Sequence, residues 1–250
     1  MKRQTKIICL CVTLVLLTAL LLSKIFFPIV LWVPAMKVSS FFTGWGPISW
    51  KEEVLLHDGS TVVIKRSQSH GGRGEIGQSP IKLQSISFII PGTSKRVIWK
   101  DKATPDIGIA NFDTVALHIL NETPYLILHP DKCLSFNKWG RPNPPYILYK
   151  HEGTGWQQIQ MADLPTEFEN VNLTITTSGD EKKLVSKWVV PHEMVTELNS
   201  SLTQEYYHKI LREPLEPGSP WMSCEELKWY KCGWGAPGEF NKEYFESLCP

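Results

Sequence analysis

The hydrophobic pattern of this chain begins with a long apolar run and continues with short alternating segments. Residues 7–22 are apolar or small apart from two threonines, and a second apolar stretch, residues 25–36, follows Ser23 and Lys24. A helix over the first run would reach roughly 24 Å, which is short of a hydrocarbon core of about 30 Å. Extending it past Lys24, whose long side chain can reach the interface, closes the gap. The pattern predicts one membrane-spanning helix over residues 7–33.

Basic residues before the apolar run predict the orientation of this helix. Lys2, Arg3 and Lys6 precede it, and the first 37 residues contain no Asp or Glu. Because positive charge is retained on the cytoplasmic side, we expect residues 1–6 in the cytoplasm and the bulk of the chain exported. A cleaved signal peptide is the alternative, but the apolar run is long and no small-x-small pair follows it. We therefore expect an uncleaved signal-anchor that contacts the lipid bilayer through residues 7–33.

Alternating segments in the middle of the chain predict antiparallel β-hairpins. Ile86, Phe88 and Ile90 alternate with polar residues, as a strand with one buried face requires. Gly-containing pairs supply the tight turns, because Gly adopts the positive φ angles that such turns need. The predicted strand pairs are residues 54–56 with 61–64 across Asp58-Gly59, 84–90 with 95–100 across Pro91-Gly92, and 146–151 with 156–161 across 152–155. Residues 125–128 and 173–176 are weaker strand patterns.

Helical spacing is confined to the last third of the chain. Apolar residues recur at helical spacing from Met194 to Leu211, after Pro191 and before Pro214. Ser and Thr within residues 199–203 predict a break, because their side chains compete with the helix for backbone hydrogen bonds. We expect one or two helices in this region.

These patterns predict a mostly β fold of class α+β. Antiparallel hairpins in a sandwich- or barrel-like arrangement precede the C-terminal helices, and a single transmembrane helix precedes the hairpins. We assign residues 34–49 to a juxtamembrane linker, residues 50–215 to a β-rich extracytoplasmic domain and residues 216–250 to a tail rich in Cys and Trp.

The charge balance of the exported part excludes one class of partner. Beyond residue 37 the chain carries 21 basic and 25 acidic side chains. A weakly acidic domain lacks the basic excess that phosphate backbones attract, so we expect no nucleic-acid binding.

Four of the six cysteines lie beyond the apolar run. In an oxidising compartment an even number of cysteines favours disulfides over free thiols. Zinc is the alternative, but no CxxC pair and no His at ligand spacing accompany these cysteines. We expect two disulfides and no metal site, with all three pairings open, among Cys133, Cys224, Cys232 and Cys249.

A glycine-rich segment at residues 72–77 spells GxGxxG. That pattern binds dinucleotide phosphates only where a helix begins directly after it. Here Ser79-Pro80 and a strand-like segment follow, so we expect a long hairpin loop and no nucleotide or other cofactor.

The stretch of residues 137–146, NKWGRPNPPY, is the most distinctive in the chain. Its prolines favour extended or polyproline II backbone. Trp139, Arg141 and Tyr146 are the candidate binding residues, as a stacking surface for a sugar or a peptide. The alternative, which we favour, is a rigid crossover that packs Trp139 into the core.

The seven histidines show no metal or catalytic spacing, and no GxSxG motif is present. His129 lies near Cys133 in sequence, which suggests a base beside a thiol nucleophile. An exported cysteine is more often half of a disulfide, so we assign no catalytic residue and do not expect an enzyme. Asn121, Asn172 and Asn199 begin N-glycosylation sequons, which matter only in a glycosylating host.

Several short strings resemble an uncharacterised group of small proteobacterial proteins with an N-terminal anchor. The likeness covers roughly residues 45–215 and rests on residues 52–59, 75–78, 137–146, 198–204 and 210–214. It implies a bacterial inner-membrane protein with a periplasmic domain. No mechanism carries over, because no activity is established for that group.

We therefore expect a single-pass inner-membrane protein whose periplasmic β-rich domain is a binding or structural component of the envelope, with an envelope protein or cell-wall partner. One alternative is an envelope hydrolase that acts on a peptide or glycan. Another is a subunit of a secretion or mobile-element assembly. A cleft that gathers two or more titratable groups would favour the enzyme, and a flat face with aromatic patches would favour binding.

Overall fold

The computed structural model describes residues 47–71, 80–175 and 181–249. The chain divides into two units, Met1–Gly46 and Pro47–Pro250, and all described residues lie in the second. The anchor predicted over residues 7–33 lies outside the described residues. Across the described ranges, no helix is both long enough and apolar enough to span a bilayer.

Four antiparallel strands form a first sheet in the order of the chain. They are β1 (Ile48–Leu55), β2 (Thr61–His70), β3 (Ile81–Ile89) and β4 (Arg96–Lys102). Buried and exposed residues alternate along them, so one face lies in the core and the other faces solvent. Two of the three predicted hairpins are confirmed here, with Gly59 and Gly92 at φ +82° and +74° in the turns.

Four further antiparallel strands form a second sheet, again in chain order. They are β5 (Phe112–Leu120), β6 (Thr123–Pro130), β7 (Ile147–Glu152) and β8 (Gly155–Ile159). The pairing of β7 with β8 confirms the third hairpin. Strands β5 and β6 are buried on both faces, which removes the alternation by which a strand is recognised in sequence.

The inner faces of the two sheets share one hydrophobic core. The first sheet contributes side chains such as Ile64, Phe88 and Trp99, and the second contributes Leu117 and Leu128. Burial of this apolar surface provides the main stabilisation of the domain.

The opposite face of the second sheet is covered by the C-terminal part of the chain. Phe136, Phe168, Tyr206 and Trp221 pack there against Ile127. The first helix, α1 (Lys132–Lys138), lies between β6 and β7 and supplies Phe136. Because Trp221 belongs to this second core, the Cys/Trp-rich tail packs against the β domain.

Three more helices and a small hairpin follow the second sheet. They are α2 (Glu181–Val185), α3 (His192–Asn199), β9 (Lys228–Tyr230), β10 (Gly233–Gly235) and α4 (Glu239–Leu248). Leu184 of α2 and Val195 of α3 pack against Trp50 of β1. The mostly antiparallel β class with a few C-terminal helices is therefore confirmed.

The helix predicted up to Leu211 is shorter than expected, and residues 173–175 belong to no strand. Helix α3 ends at Asn199, as the Ser/Thr break predicted, and Glu205–Tyr207 forms a single 3₁₀ turn. Beyond that turn the Ile210 amide donates to the Glu169 carbonyl. This hydrogen bond to another segment replaces the helical one, so tertiary pairing overrides the local apolar spacing.

Both expected disulfides form, which settles the pairing. Cys133 of α1 bonds Cys224 in the tail with Cα atoms 5.5 Å apart, and Cys232 bonds Cys249 with Cα atoms 5.9 Å apart. The first disulfide joins residues 91 positions apart. It therefore holds the tail against the second sheet.

The glycine-rich segment at residues 72–77 lies outside the described residues, but its flanks are described. The Gly71 amide donates to the Pro80 carbonyl, and β3 begins at Ile81. A strand follows the segment instead of a helix, so the arrangement that a dinucleotide-binding motif requires is absent from the described flanks.

Candidate functional site

A cavity of about 480 Å³ lies where four separate parts of the fold meet. Its walls come from the β1–β2 turn, strand β5, the segment 167–172 and helix α3 with the 3₁₀ turn after it. The volume falls within the range of small-molecule sites.

Four of the seven histidines line this cavity, each from a different element. They are His57 in the β1–β2 turn, His118 on β5, His192 at the start of α3 and His208 after the 3₁₀ turn. They are spread over 151 sequence positions, so only the folded chain brings them together. Regular spacing, the sequence signal of a histidine site, is absent from this set.

His57 and His118 form an aromatic group with Phe168 in the cavity wall. The two imidazole centroids are 5.9 Å apart, and His118 stacks on Phe168 at 4.6 Å. Nε2 of His118 lies 3.1 Å from the Asn170 carbonyl oxygen. Nδ1 of both imidazoles is closed off from solvent and has no hydrogen-bond partner among the described residues. Buried groups with unmet hydrogen-bonding capacity are rare in folded proteins and recur at functional sites.

Burial keeps His118 uncharged at neutral pH. Removal from water is the main cause that lowers its pKa to about 4; the neighbouring His57 acts in the same direction, and the hydrogen bond with the Asn170 carbonyl opposes both. A neutral imidazole can donate through one nitrogen and accept through the other. His118 therefore lines the cavity as an uncharged imidazole whose Nε2 is already paired with the Asn170 carbonyl oxygen.

Besides the histidines, the titratable side chains of the cavity lining are two carboxylates and one phenol, and none of them carries a positive charge. Glu167 and Glu169 line it and are exposed. Burial and the nearby Asp113 raise the pKa of Tyr207, so its phenol stays protonated. Among the described lining residues none is Lys or Arg. The cavity is therefore suited to neutral or cationic ligands.

Two buried asparagines fix the cavity floor. The Asn172 side chain donates to the Leu55 and Leu117 carbonyls and accepts from the Leu117 amide. The Asn199 side chain donates to the Leu173 carbonyl and accepts from the Ile175 amide. The side-chain amides of both asparagines are therefore engaged in hydrogen bonds to the backbone, so these two sequon residues have a structural role.

One group of side chains that includes the cavity residue His192 contains only metal-ligating residue types. The ligating atoms of Glu53, His192 and Glu193 all lie within 4.8 Å of one another. An imidazole nitrogen and carboxylate oxygens are ligand types that Zn²⁺ accepts in proteins. Nε2 of His192 lies 3.3 Å from Oε1 of Glu193, so in the structure the two side chains pair with each other.

The three binding residues proposed from the sequence lie apart from this cavity. Trp139 packs on Phe112 with ring centroids 4.8 Å apart. Arg141 donates to the Cys224 and Glu225 carbonyls, and the buried Tyr146 hydroxyl donates to the Tyr206 and Lys209 carbonyls. These contacts favour the rigid-crossover interpretation. A ligand-contact role for the three stays a prediction.

The sequence neighbours His129 and Cys133 do not form a nucleophile pair. Cys133 is bonded to Cys224, so it holds no free thiol. His129 is fully buried, stacks on Tyr206 and meets Trp221 edge-on, and burial lowers its pKa to about 4. Its surroundings are those of a core residue.

Comparisons with known proteins found no match for this chain. No protein-family model, no curated protein and no solved structure matches it.

Proposed function

We propose that this chain is a single-pass inner-membrane protein whose periplasmic domain binds a small polar ligand in the histidine-lined cavity. The observation that carries the proposal is the convergence of His57, His118, His192 and His208 on one cavity of suitable volume. Pockets that gather a few polar groups in a concave, partly apolar site are typical of ligand binding.

The charges of the cavity restrict the class of ligand. Glu167 and Glu169 repel anions, and no described Lys or Arg in the lining would attract them. The neutral His118 adds no positive charge to the lining. We therefore assign the ligand to neutral or cationic compounds with hydroxyl or amino groups, such as an amino sugar of the cell wall or a polyamine.

The assigned location rests on the N-terminal pattern and the cysteines. The apolar segment 7–33 with its basic flank is the pattern of a signal-anchor. Two disulfides in the domain support an oxidising compartment. A periplasmic location would also give the cavity access to cell-wall glycan.

A substitution that fills the cavity tests the proposal. Thr196 lines the cavity from α3 and is exposed, so Thr196→Trp adds bulk without disturbing the core. We expect the full chain in detergent to bind an N-acetylglucosamine tetrasaccharide or spermidine, and Thr196→Trp to weaken that binding by about tenfold or more, the equivalent of 1.4 kcal/mol. Isothermal titration calorimetry measures both.

The matched control is Glu197→Trp, which places the same side chain at the neighbouring exposed position of α3, outside the cavity lining. It should bind like the parent chain. Absence of binding for both probes, or equal weakening by the two substitutions, would refute the assigned site.

A hydrolase is the second candidate, because the cavity gathers several titratable groups. Imidazoles and carboxylates on one cleft are what general acid–base catalysis requires. His57 and Glu167 both line it. If the chain is a hydrolase, His57→Gln abolishes cleavage of the tetrasaccharide while binding persists, and mass spectrometry of the products distinguishes this from binding alone.

A further inference from the structure

The solvent-facing side of the first sheet is basic although the domain is weakly acidic. Five cations project from its four strands, and the half-buried Glu53 is the sole carboxylate on this face of the described strands. The cations are Lys51, Lys65, Arg96, Lys100 and Lys102. None of the five forms a salt bridge with a described carboxylate.

Two of these cations face each other directly. Lys51 on β1 pairs in register with Lys65 on β2. Like charges opposite each other across an antiparallel pair destabilise a sheet. The carboxylates of an acidic partner bound to this face would attract both lysines and offset their mutual repulsion.

Apolar side chains are interspersed with the cations on the same face. Val63, Ile89 and Ile98 are each nearly half exposed, at 48%, 47% and 49%. Leu55 and Leu83 are also exposed. Several exposed aliphatic side chains on one face are a feature of interaction surfaces. We call this face, with its five cations and five aliphatic residues, the basic face.

Helix α4 carries the complementary pattern. Phe240, Tyr244 and Leu248 recur every four residues and are exposed at 78%, 51% and 57%. The exposed Glu243 lies three residues from Phe240 and borders this apolar stripe, and the exposed Glu246 lies one turn beyond Glu243, farther round the helix. We give the name α4 stripe to Phe240, Tyr244 and Leu248 together with Glu243 and Glu246.

The other side of α4 is held by its own domain. Phe245 stacks on Tyr230 at 5.8 Å, and Cys249 bonds Cys232. A Cβ at Gly233 would collide with the Phe245 ring, so glycine there permits the close approach. The α4 stripe therefore points away from the described domain on a helix that cannot turn to bury it.

We propose that the α4 stripe of one copy of this chain docks on the basic face of a second copy. A ten-residue helix is about 15 Å long, and a four-stranded sheet measures about 14 Å between its outer strands, so the helix fits on the face. An anionic lipid surface or a nucleic acid would account for the cations of the basic face. Neither accounts for the acidic and aromatic α4 stripe, whereas a second copy accounts for both surfaces.

The contact joins two different patches of the chain. Reciprocal docking about a two-fold axis gives a closed dimer in which each copy supplies one helix and one sheet, whereas head-to-tail docking gives a ring or a filament. Because the interface includes exposed charge pairs, its stability falls as salt increases. This proposal is independent of the ligand assigned to the cavity.

A photo-crosslinking experiment on the full chain in detergent tests the contact. A benzophenone amino acid replaces Tyr244 in isotope-labelled chain, which is mixed with unlabelled chain and irradiated. The expected product joins α4 of a labelled copy to β1–β4 of an unlabelled copy, as mapped by mass spectrometry. Products confined to one copy, to residues 1–46 or to detergent would overturn the proposal.

Charge reversal provides the matched variants. Lys65→Glu or Glu243→Lys alone should lower the intermolecular yield about tenfold, since like charges at an interface are strongly unfavourable. Chains that carry both changes should regain a yield within about threefold of the parent, because the pair is restored in reversed order. Lys182→Glu and Glu216→Lys, exposed elsewhere, should leave the yield unchanged. Equal losses in all four single variants, or no rescue, would also refute the contact.

Discussion

A buried ion pair on the inner face of the first sheet, between Glu52 of β1 and Arg66 of β2, also contacts the second sheet. Arg66 lies 3.3 Å from Glu52, and both side chains are almost fully buried. Glu52 also accepts from the Trp50 indole at 2.8 Å and from the Thr174 amide at 3.3 Å. Arg66 also donates to the Thr114 hydroxyl of the second sheet. Each charge is thus compensated inside the core.

Removal of one partner of this pair is expected to be costly. Arg66→Met leaves Glu52 buried without its cation, and we expect the free energy of unfolding to fall by about 3–5 kcal/mol. Chemical denaturation followed by tryptophan fluorescence measures this. The double variant Glu52→Gln/Arg66→Met should regain part of the loss, and exposed Arg96→Met should change stability by no more than about 0.5 kcal/mol. A double variant no more stable than Arg66→Met alone would contradict this interpretation of the pair.

The buried His129 predicts a pH dependence of stability. Its pKa is lowered from 6.5 to about 4, so between these values the unfolded chain binds a proton that the folded chain does not. The stabilisation is fully present above pH 6.5 and is lost as the pH falls to 4, by about 3 kcal/mol for a shift of this size.

The variant His129→Gln isolates this contribution. The free energy of unfolding of the parent minus that of the variant should fall by about 3 kcal/mol between pH 7 and pH 4. Burial raises the pKa of Asp113, which acts in the opposite direction, but it is present in both chains and cancels in the difference. A difference that is the same at both pH values would show that His129 does not titrate in this way.

At the scale of elements, the sequence predicted those parts whose signal is local. The turns of the first two hairpins depend on the positive φ angles of Gly59 and Gly92. The residues of the turn itself encode such a conformation, so the positions of these turns were predictable from the sequence. Strand β5 was missed because both its faces are buried, which leaves no alternation. The region around Ile210 was predicted as helix because its apolar spacing is helical, whereas a hydrogen bond from a distant segment determines its backbone.

The disulfide between α1 and the tail is expected to stabilise the folded domain. It closes a long loop, and removal of such a bond costs about 2–5 kcal/mol. Cys133→Ser/Cys224→Ser should lower the free energy of unfolding by that amount, with a red shift of tryptophan emission as Trp221 leaves the second core. Denaturation with fluorescence detection measures both. An unchanged emission maximum would mean that packing alone holds the tail.

At the scale of the whole molecule, the candidate site could not be predicted from the sequence. His57, His118, His192 and His208 come from four elements and become neighbours only through the fold. Cysteine parity was informative, because oxidation state and number suffice to predict two disulfides. A cavity depends on the relative positions of several elements, which no local pattern encodes.

The location of the whole chain is tested through its N-terminus. The basic residues and apolar run predict that residues 1–33 are retained. The intact mass of the purified protein should therefore include Met1 or begin at Lys2, and a periplasm-specific reporter fused after residue 40 should be active. A mature N-terminus beyond residue 20 would instead indicate a cleaved signal peptide.

Binding of a neutral or cationic polar ligand in the histidine-lined cavity can be followed residue by residue through the histidine NMR signals of the full chain. The chain contains its own controls, because His70, His129 and His151 are not part of the cavity lining. With ¹³C-labelled histidine, addition of the N-acetylglucosamine tetrasaccharide or spermidine at about 10 mM, enough to saturate a site of 1 mM affinity, should shift His57, His118, His192 and His208 and leave the other three unchanged. Equal shifts of all seven signals, or no shift with either compound, would contradict it.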